Sequence, residues 1–117
     1  HGYQLMLFAV DYDGTYSRDP DLFREWLVAG RRMGHTFVLV TGRSDTPPWG
    51  DEVRRAVAGL MPIVFAADGW KRSAAEAAGY KVDVWIDDHP EYIAAQDPAK
   101  VTRHDGYTAE RDKDHAS

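Results

Sequence analysis

The chain of 117 residues contains no cysteine. A disulfide framework, a thiolate zinc site and a cysteine nucleophile are therefore excluded. Long apolar runs are also missing, because residues 5–10 and 36–40 fall far short of the roughly 20 residues that span a bilayer. Basic residues are not in excess: 14 Lys and Arg stand against 19 Asp and Glu, for a net charge of -5. This charge argues against a broad non-specific nucleic-acid binder.

The first residues show no basic segment followed by a long apolar stretch and a small-residue cleavage site, so no secretory signal is predicted. We therefore expect a cytoplasmic protein with no membrane partner. The hydrophobic share of 44% and the charged share of 28% are close to globular averages, which predicts a chain that buries a real core. Its length suits a single domain.

Short apolar runs alternate with helix-length segments along the first 98 residues. This alternation is typical of an α/β protein with a mainly parallel sheet and helices on both faces. The unbroken run at residues 5–10 is expected to be a central strand covered on both sides. Four strands are predicted at residues 5–10, 35–40, 62–66 and 82–86, and three helices are predicted after Asp19-Pro20, at 51–60 and at 71–78.

Large aliphatic residues nearly disappear beyond Pro98, where the chain becomes strongly charged. We therefore divide it into a folded domain at residues 1–98 and a charged, loosely ordered tail at residues 99–117. No internal repeat and no interdomain linker is visible.

Polar clusters follow the predicted strands at their carboxyl ends. In open α/β sheets these ends meet at one edge, where ligands bind. The clusters are therefore expected to be neighbours in space. They are Asp11-Tyr12-Asp13-Gly14-Thr15, Thr41-Gly42-Arg43 and Asp87-Asp88-His89-Pro90, with Lys71 at the start of the third predicted helix.

The acidic residues of these clusters predict a metal site. Asp11 and Asp13 are two apart on an extended segment and so face the same way, and Gly14 permits a sharp turn after them. Carboxylates that converge on one edge repel each other unless a cation lies between them, and oxygen ligands favour a hard divalent ion such as Mg²⁺. The predicted ligands are Asp11, Asp13, Asp87 and Asp88.

Magnesium beside carboxylates indicates phosphate chemistry. Phosphoryl transfer needs a nucleophile, a proton donor, a hydroxyl group that holds a phosphoryl oxygen, and a cation. Asp11, Asp13, Thr41 and Lys71 supply one of each.

In this order and in these strand contexts, the four clusters resemble the four motifs of haloacid-dehalogenase-like (HAD-like) phosphatases. The resemblance spans about residues 5–92, and in its short spacing the chain is similar to small capless members of phage and bacteria. It implies a three-layer Rossmann-like fold and a hydrolase that cleaves phosphoric monoesters through an aspartyl-phosphate.

The resemblance also assigns roles to the residues. It implies that Asp11 is the nucleophile, and that Asp13 protonates the leaving group, then activates water and offers its main-chain carbonyl to the metal. By the same resemblance Thr41 holds a phosphoryl oxygen and Lys71 steadies the nucleophile and the transferring group. Aligned on the preceding apolar residue, Asp88 is the direct magnesium ligand and Asp87 the supporting one.

Two positions depart from the family pattern. Some members carry a second acid four residues after the first acid of the fourth motif, where this chain has Tyr92, so the chain resembles the Asp-Asp variants of the family. The lysine of the third motif can be Lys71 or Lys81. We favour Lys71 because it starts a helix at the ligand edge, whereas Lys81 would enter a strand at the opposite end.

Calcium loops and phosphoacceptor receiver domains share parts of this pattern. A calcium loop is excluded because glycine falls at its fourth rather than sixth position. A receiver domain needs its acidic pair early and a lone aspartate later, which is the reverse order. An ordinary turn would explain Asp13-Gly14 by itself, but it would not explain the other polar clusters. A degenerate HAD-like module that binds phosphate or a partner without turnover remains the alternative function.

The spacing leaves no room for a cap domain, because only about 25 residues separate Thr15 from Thr41. By family analogy an open site favours bulky phosphorylated substrates, unless a second subunit covers it. The predicted substrate-binding residues Gly42, Arg43, Trp49 and Trp70 combine charge with aromatic rings, which suits a nucleotide or a nucleic-acid end. In the competing interpretation the two tryptophans only pack the loops.

Overall fold

The computed structural model describes residues 4–94, and the predicted tail at residues 99–117 lies outside them. Two 3₁₀ turns, Tyr16–Arg18 and Pro90–Tyr92, each follow the end of a strand. No helix in residues 4–94 is long and apolar enough to cross a membrane. The strands and α-helices are β1 (Leu7–Val10), α1 (Pro20–Arg32), β2 (Thr36–Thr41), α2 (Trp49–Val57), β3 (Ile63–Phe65), α3 (Lys71–Ala77) and β4 (Val84–Ile86).

The four strands form one parallel sheet in the order β3-β2-β1-β4. Ala9 of β1 lies opposite Val38 of β2 on one side and Trp85 of β4 on the other. The first strand is therefore central, and its buried residues Ala9 and Val10 confirm the prediction from its unbroken apolar sequence. The α/β class with a parallel sheet is confirmed with it.

Helices cover both faces of the sheet. Alternate side chains of a strand point to opposite faces, and here both sets are apolar and need to be buried. Val10, Phe37 and Leu39 pack with α1 and α2. Ala9 and Val38, one position away, pack with α3 on the other face. The core is thus split by the sheet into two apolar layers.

Helix α1 begins where the sequence predicts. The Asp19 side chain accepts a hydrogen bond from the backbone N–H of Leu22 at 3.1 Å, which caps the first turn. The apolar face of α1, with Phe23, Trp26 and Leu27, packs on the sheet, whereas the side chain of Leu22 is exposed.

Helix α2 differs from its predicted bounds of 51–60. It begins two residues earlier, at Trp49, and ends at Val57 because Ala58 adopts a left-handed conformation with φ of 50°. Val53 and Val57 are buried as predicted. Leu60 lies beyond the helix and packs against the same core from the following loop.

Candidate active site

A cavity of about 590 Å³ opens at the carboxyl edge of the sheet. The backbone N–H of Asp11 donates to the carbonyl of Ile86 at 2.9 Å, so the segments that leave β1 and β4 start side by side. The predicted polar clusters therefore meet at this edge. The cavity is lined by Asp11, Asp13, Gly42, Arg43, Asp68, Gly69, Trp70, Lys71, Asp87, Asp88, His89 and Tyr92.

Lys71 provides the buried cation of the cavity. Its Nζ atom lies 2.8 Å from Oδ1 of Asp11 and 2.6 Å from Oδ2 of Asp87, and only 6% of the residue is exposed. Burial by itself lowers the pKa of Lys71, but the hydrogen bonds to the two carboxylates outweigh it and raise the pKa. Lys81, the other lysine considered for the third motif, is exposed and does not line the cavity.

Asp11 is a buried carboxyl group of the site. Burial raises its pKa to about 7, contact with Asp88 adds to this effect, and Lys71 opposes it. The Thr15 hydroxyl donates to Oδ2 of Asp11 at 3.2 Å. Both oxygens of Asp11 thus have a protein donor, which fixes the carboxyl group in one orientation.

Asp11, Asp87 and Asp88 together form the metal candidate, since one oxygen from each lies within 4.8 Å of the others. Asp87 accepts hydrogen bonds from Nζ of Lys71 and, at 2.8 Å, from the backbone N–H of His89. Asp88 has a 40% exposed side chain and a long contact of 3.5 Å from the hydroxyl group of Thr15. Three carboxylates that converge in this way are the ligand type that Mg²⁺ prefers, so the residues fit that ion.

Gly14 is required by two features of the structure. Its φ of +78° lies in the left-handed region that favours glycine. A Cβ atom built on Gly14 would also collide with the carboxylate of Asp88. The glycine therefore lets the turn after Asp13 pass close to a predicted metal ligand.

Asp13 lies at the exposed side of the cavity and is held by Arg43. Nε of Arg43 donates to Oδ2 of Asp13 at 2.9 Å, and Nη2 donates to Oδ1 at 2.7 Å. The sequence predicts that Arg43 binds substrate. In the structure Arg43 lines the cavity, and its guanidinium group contacts Asp13, a predicted catalytic residue.

The segment after β2 carries the remaining predicted residues, Thr41 and Gly42. Thr41 is fully buried and does not line the cavity, and its hydroxyl oxygen accepts the backbone N–H of Arg43 at 3.2 Å. The hydroxyl group can still donate its own proton. Gly42 lines the cavity, and its carbonyl accepts the N–H of Asp68 at 2.9 Å, which ties this segment to the loop before α3.

The two loop tryptophans have different surroundings. Trp70, 46% exposed, lines the cavity immediately before Lys71. Trp49, 58% exposed, does not line it. The cavity also has a second aromatic element, the rings of His89 and Tyr92, whose centroids are 5.6 Å apart. His89 belongs to a predicted cluster, whereas an aromatic role for Tyr92 was not predicted.

Three contributions to the site are not predicted from the sequence. Tyr92 stands out there only as the residue in place of a second acid, and Thr15 only as the end of a motif. Glu52, which contacts Arg43 at 3.3 Å, carries no signal in the sequence at all. The signal for Tyr92 is its spacing, four residues after Asp88, in a segment that Pro90 starts as a 3₁₀ turn.

Comparison of the chain with models of protein families, with curated proteins and with solved structures found no match.

Proposed function

We propose that this protein is a Mg²⁺-dependent phosphomonoester hydrolase of the HAD-like type without a cap domain. The observation that supports it most is the buried ammonium group of Lys71, paired with Asp11 and Asp87 in the wall of a cavity that Asp13 also lines. A fixed carboxylate, a second carboxyl group nearby and a cation are what aspartyl-phosphate chemistry needs. The parallel sheet with helices on both faces is compatible with the three-layer fold of that family.

In the first step a carboxylate oxygen of Asp11 attacks phosphorus, and the bond from phosphorus to the leaving oxygen breaks. The leaving oxygen takes a proton from the carboxyl group of Asp13. In the second step water attacks phosphorus and gives a proton to Asp13, and the bond to Asp11 breaks. Inorganic phosphate leaves, and both aspartates return to their starting forms.

Magnesium would be held by the side chains of Asp11, Asp87 and Asp88, of which Asp88 is the most accessible. The family resemblance adds the main-chain carbonyl of Asp13 as a further ligand. When bound, the ion neutralises charge on the carboxylates and on the phosphoryl oxygens. Lys71 holds Asp11 and Asp87 in place and balances their charge. Thr41 directly precedes Gly42 of the cavity wall, and its hydroxyl proton is available, but the residue is fully buried. Its role of holding a phosphoryl oxygen therefore comes from the family resemblance.

The substrate proposed is a nucleotide or the phosphorylated end of a nucleic acid. Within residues 4–94 no cap covers the cavity, and its rim carries the rings of Trp70, His89 and Tyr92. The backbone N–H of Arg72 donates to the carbonyl of Ile93 at 2.6 Å, so the segments that carry these rings are joined. Planar bases stack on such rings without the need for a specific sequence.

The experiment that tests the proposal is hydrolysis of an aryl phosphate with Mg²⁺ by the parent protein and by Asp11→Asn. The variant removes the nucleophile with little change in shape, so turnover should fall by several orders of magnitude. Asp13→Asn should be nearly as damaging, because two proton transfers depend on it. Asp45→Asn is the matched control, since Asp45 pairs with Arg54 away from the cavity and should leave the rate unchanged.

Appreciable turnover by a folded Asp11→Asn protein would overturn the covalent mechanism. If the parent protein binds phosphate but hydrolyses no phosphomonoester with Mg²⁺, the alternative of a degenerate phosphate-binding module replaces the proposal.

A further inference from the structure

Arg43 makes more side-chain contacts than phosphate binding explains. Its guanidinium group donates four hydrogen bonds: two to Asp13, one to Glu52 at 3.3 Å and one to the carbonyl of Trp49 at 3.1 Å. It also lies over the ring of Tyr12, 5.1 Å from the centroid. An arginine side chain has five N–H groups, so little donor capacity is left for a phosphate.

Arg43 is fixed independently of Asp13. The carbonyl of Trp49 and the carboxylate of Glu52 both belong to α2, and the Tyr12 hydroxyl donates to Glu52 at 3.3 Å. Tyr12 thus supports the guanidinium group through its ring and orients one of its acceptors. Arg43 is thus held by the buried ring of Tyr12 and by the first turn of α2, in addition to its contact with Asp13.

Asp13, by contrast, has little other restraint. Its side chain is 57% exposed, and Gly14 follows it directly in a left-handed turn. An exposed side chain of this kind samples several rotamers unless a contact selects one. The bidentate hydrogen bond from Arg43 therefore sets the plane and direction of this carboxyl group.

We propose that Arg43 is a positioning residue, which holds the carboxyl group of Asp13 in the cavity for proton transfer and does not itself bind the phosphate. This inference rests on the proposed phosphohydrolase function. The contact is compatible with proton transfer, because each carboxylate oxygen has a second lone pair that can carry the proton or accept one from water.

Two aryl phosphates that differ in their leaving group, phenyl phosphate and 2,4-dinitrophenyl phosphate, separate positioning from binding. Phenoxide leaves readily only if it is protonated, whereas dinitrophenoxide leaves without a proton. The ratio kcat/KM covers the steps up to departure of the leaving group. Arg43→Ala should lower kcat/KM about 10- to 100-fold for phenyl phosphate and less than about threefold for dinitrophenyl phosphate.

Arg54→Ala is the matched control. Arg54 is also an arginine with two acidic partners, Asp45 and Asp51, and it lies over the ring of Phe65 at 5.2 Å, but it does not line the cavity. Both substrates should keep their parent kcat/KM in this variant. Thermal unfolding of each variant shows that it is folded at the assay temperature.

Arg43→Lys provides the second test, and it decides the question if Arg43→Ala does not fold. Lysine keeps the charge but cannot make the two-pronged contact, so the selective loss on phenyl phosphate should persist. Equal losses on the two substrates, or full activity of the lysine variant on both, would overturn the positioning role. A parent protein that hydrolyses neither substrate would overturn the phosphohydrolase proposal itself, and the positioning role with it.

Discussion

Gly14 has a left-handed backbone conformation and lies against the acidic cluster. Gly14→Ala must place a methyl group against the carboxylate of Asp88 and also adopt a left-handed backbone. The left-handed conformation alone costs about 1 to 2 kcal/mol for a residue with a Cβ atom. The variant should therefore lose more than this from its free energy of unfolding, and it should bind Mg²⁺ more weakly because Asp88 is displaced. Urea unfolding and Mg²⁺ titration measure the two effects.

Gly59→Ala is the control for this prediction. Gly59 has nearly the same φ, +77°, but a Cβ atom there would meet no other atom within 4 Å. Its substitution should show only the backbone cost and leave Mg²⁺ binding unchanged. Equal effects of the two substitutions would mean that Asp88 tolerates the methyl group and that Gly14 is needed only for its φ.

At the scale of elements, two tryptophans at the starts of helices allow a direct comparison. Trp70 precedes α3 and lines the cavity, whereas Trp49 begins α2 and does not. Trp70→Ala should weaken use of a nucleoside monophosphate by about 1 to 3 kcal/mol, the value of one stacked base, and should affect glycerol phosphate much less. Trp49→Ala should affect neither substrate. Comparing kcat/KM for both substrates in both variants checks this.

A loss on glycerol phosphate as large as that on the nucleotide would show that Trp70 only holds the loop. A selective nucleotide loss in both variants would support the sequence-based prediction that both tryptophans bind substrate.

The order of strands and helices was predictable because apolar runs and helical spacing are local in the sequence. The start of α2 was not, since Gly50 and the two preceding prolines suggested a loop. In the structure the N–H of Gly50 donates to the carbonyl of Thr46 at 2.9 Å, and Gly50 packs so closely on Asp45 that a side chain would collide. A glycine in the first turn is thus explained by a tertiary contact.

In the candidate site, too, some features could be predicted from the sequence and others depend on tertiary contacts. Asp11, Lys71 and Asp87 could be placed together from the sequence because parallel strands bring their carboxyl ends to one edge. The contact of Arg43 with Asp13 could not, because it depends on side-chain directions in two separate loops. Its charge and its place after the second strand made Arg43 a substrate-binding candidate.

At the scale of the whole molecule, stability should depend on pH through Asp11. Its pKa is raised from 3.8 to about 7, mainly by burial. Between these two pH values Asp11 therefore holds a proton in the folded chain that it does not hold in the unfolded chain. Without metal, the free energy of unfolding should fall by up to about 1.4 kcal/mol per pH unit as pH rises toward 7, then level off. At the proposed metal site Mg²⁺ would compete with this proton, so it should raise Tm more at pH 8 than at pH 5.5.

Thermal unfolding in EDTA and in Mg²⁺ across this pH range measures both effects. Asp11→Asn is the reference, because it removes the titrating group and should flatten the pH dependence. Identical unfolding curves of the parent protein in EDTA and Mg²⁺ at pH 8 would contradict a metal site. A pH slope in Asp11→Asn as steep as that of the parent would assign the proton to another residue.

The central position of β1 also affects the order in which the molecule can be assembled. During synthesis β1 is made before both of its neighbours, but β4 follows more than 70 residues later, and Lys71 also comes long after Asp11. Closing such long chain segments is slow compared with local helix formation. A nascent chain can therefore hold a partly built sheet for some time while Asp11 has neither its lysine nor its acidic neighbours. The acidic cluster and its cation come together only with the last strand, so a chain cut short before β4 carries no assembled site.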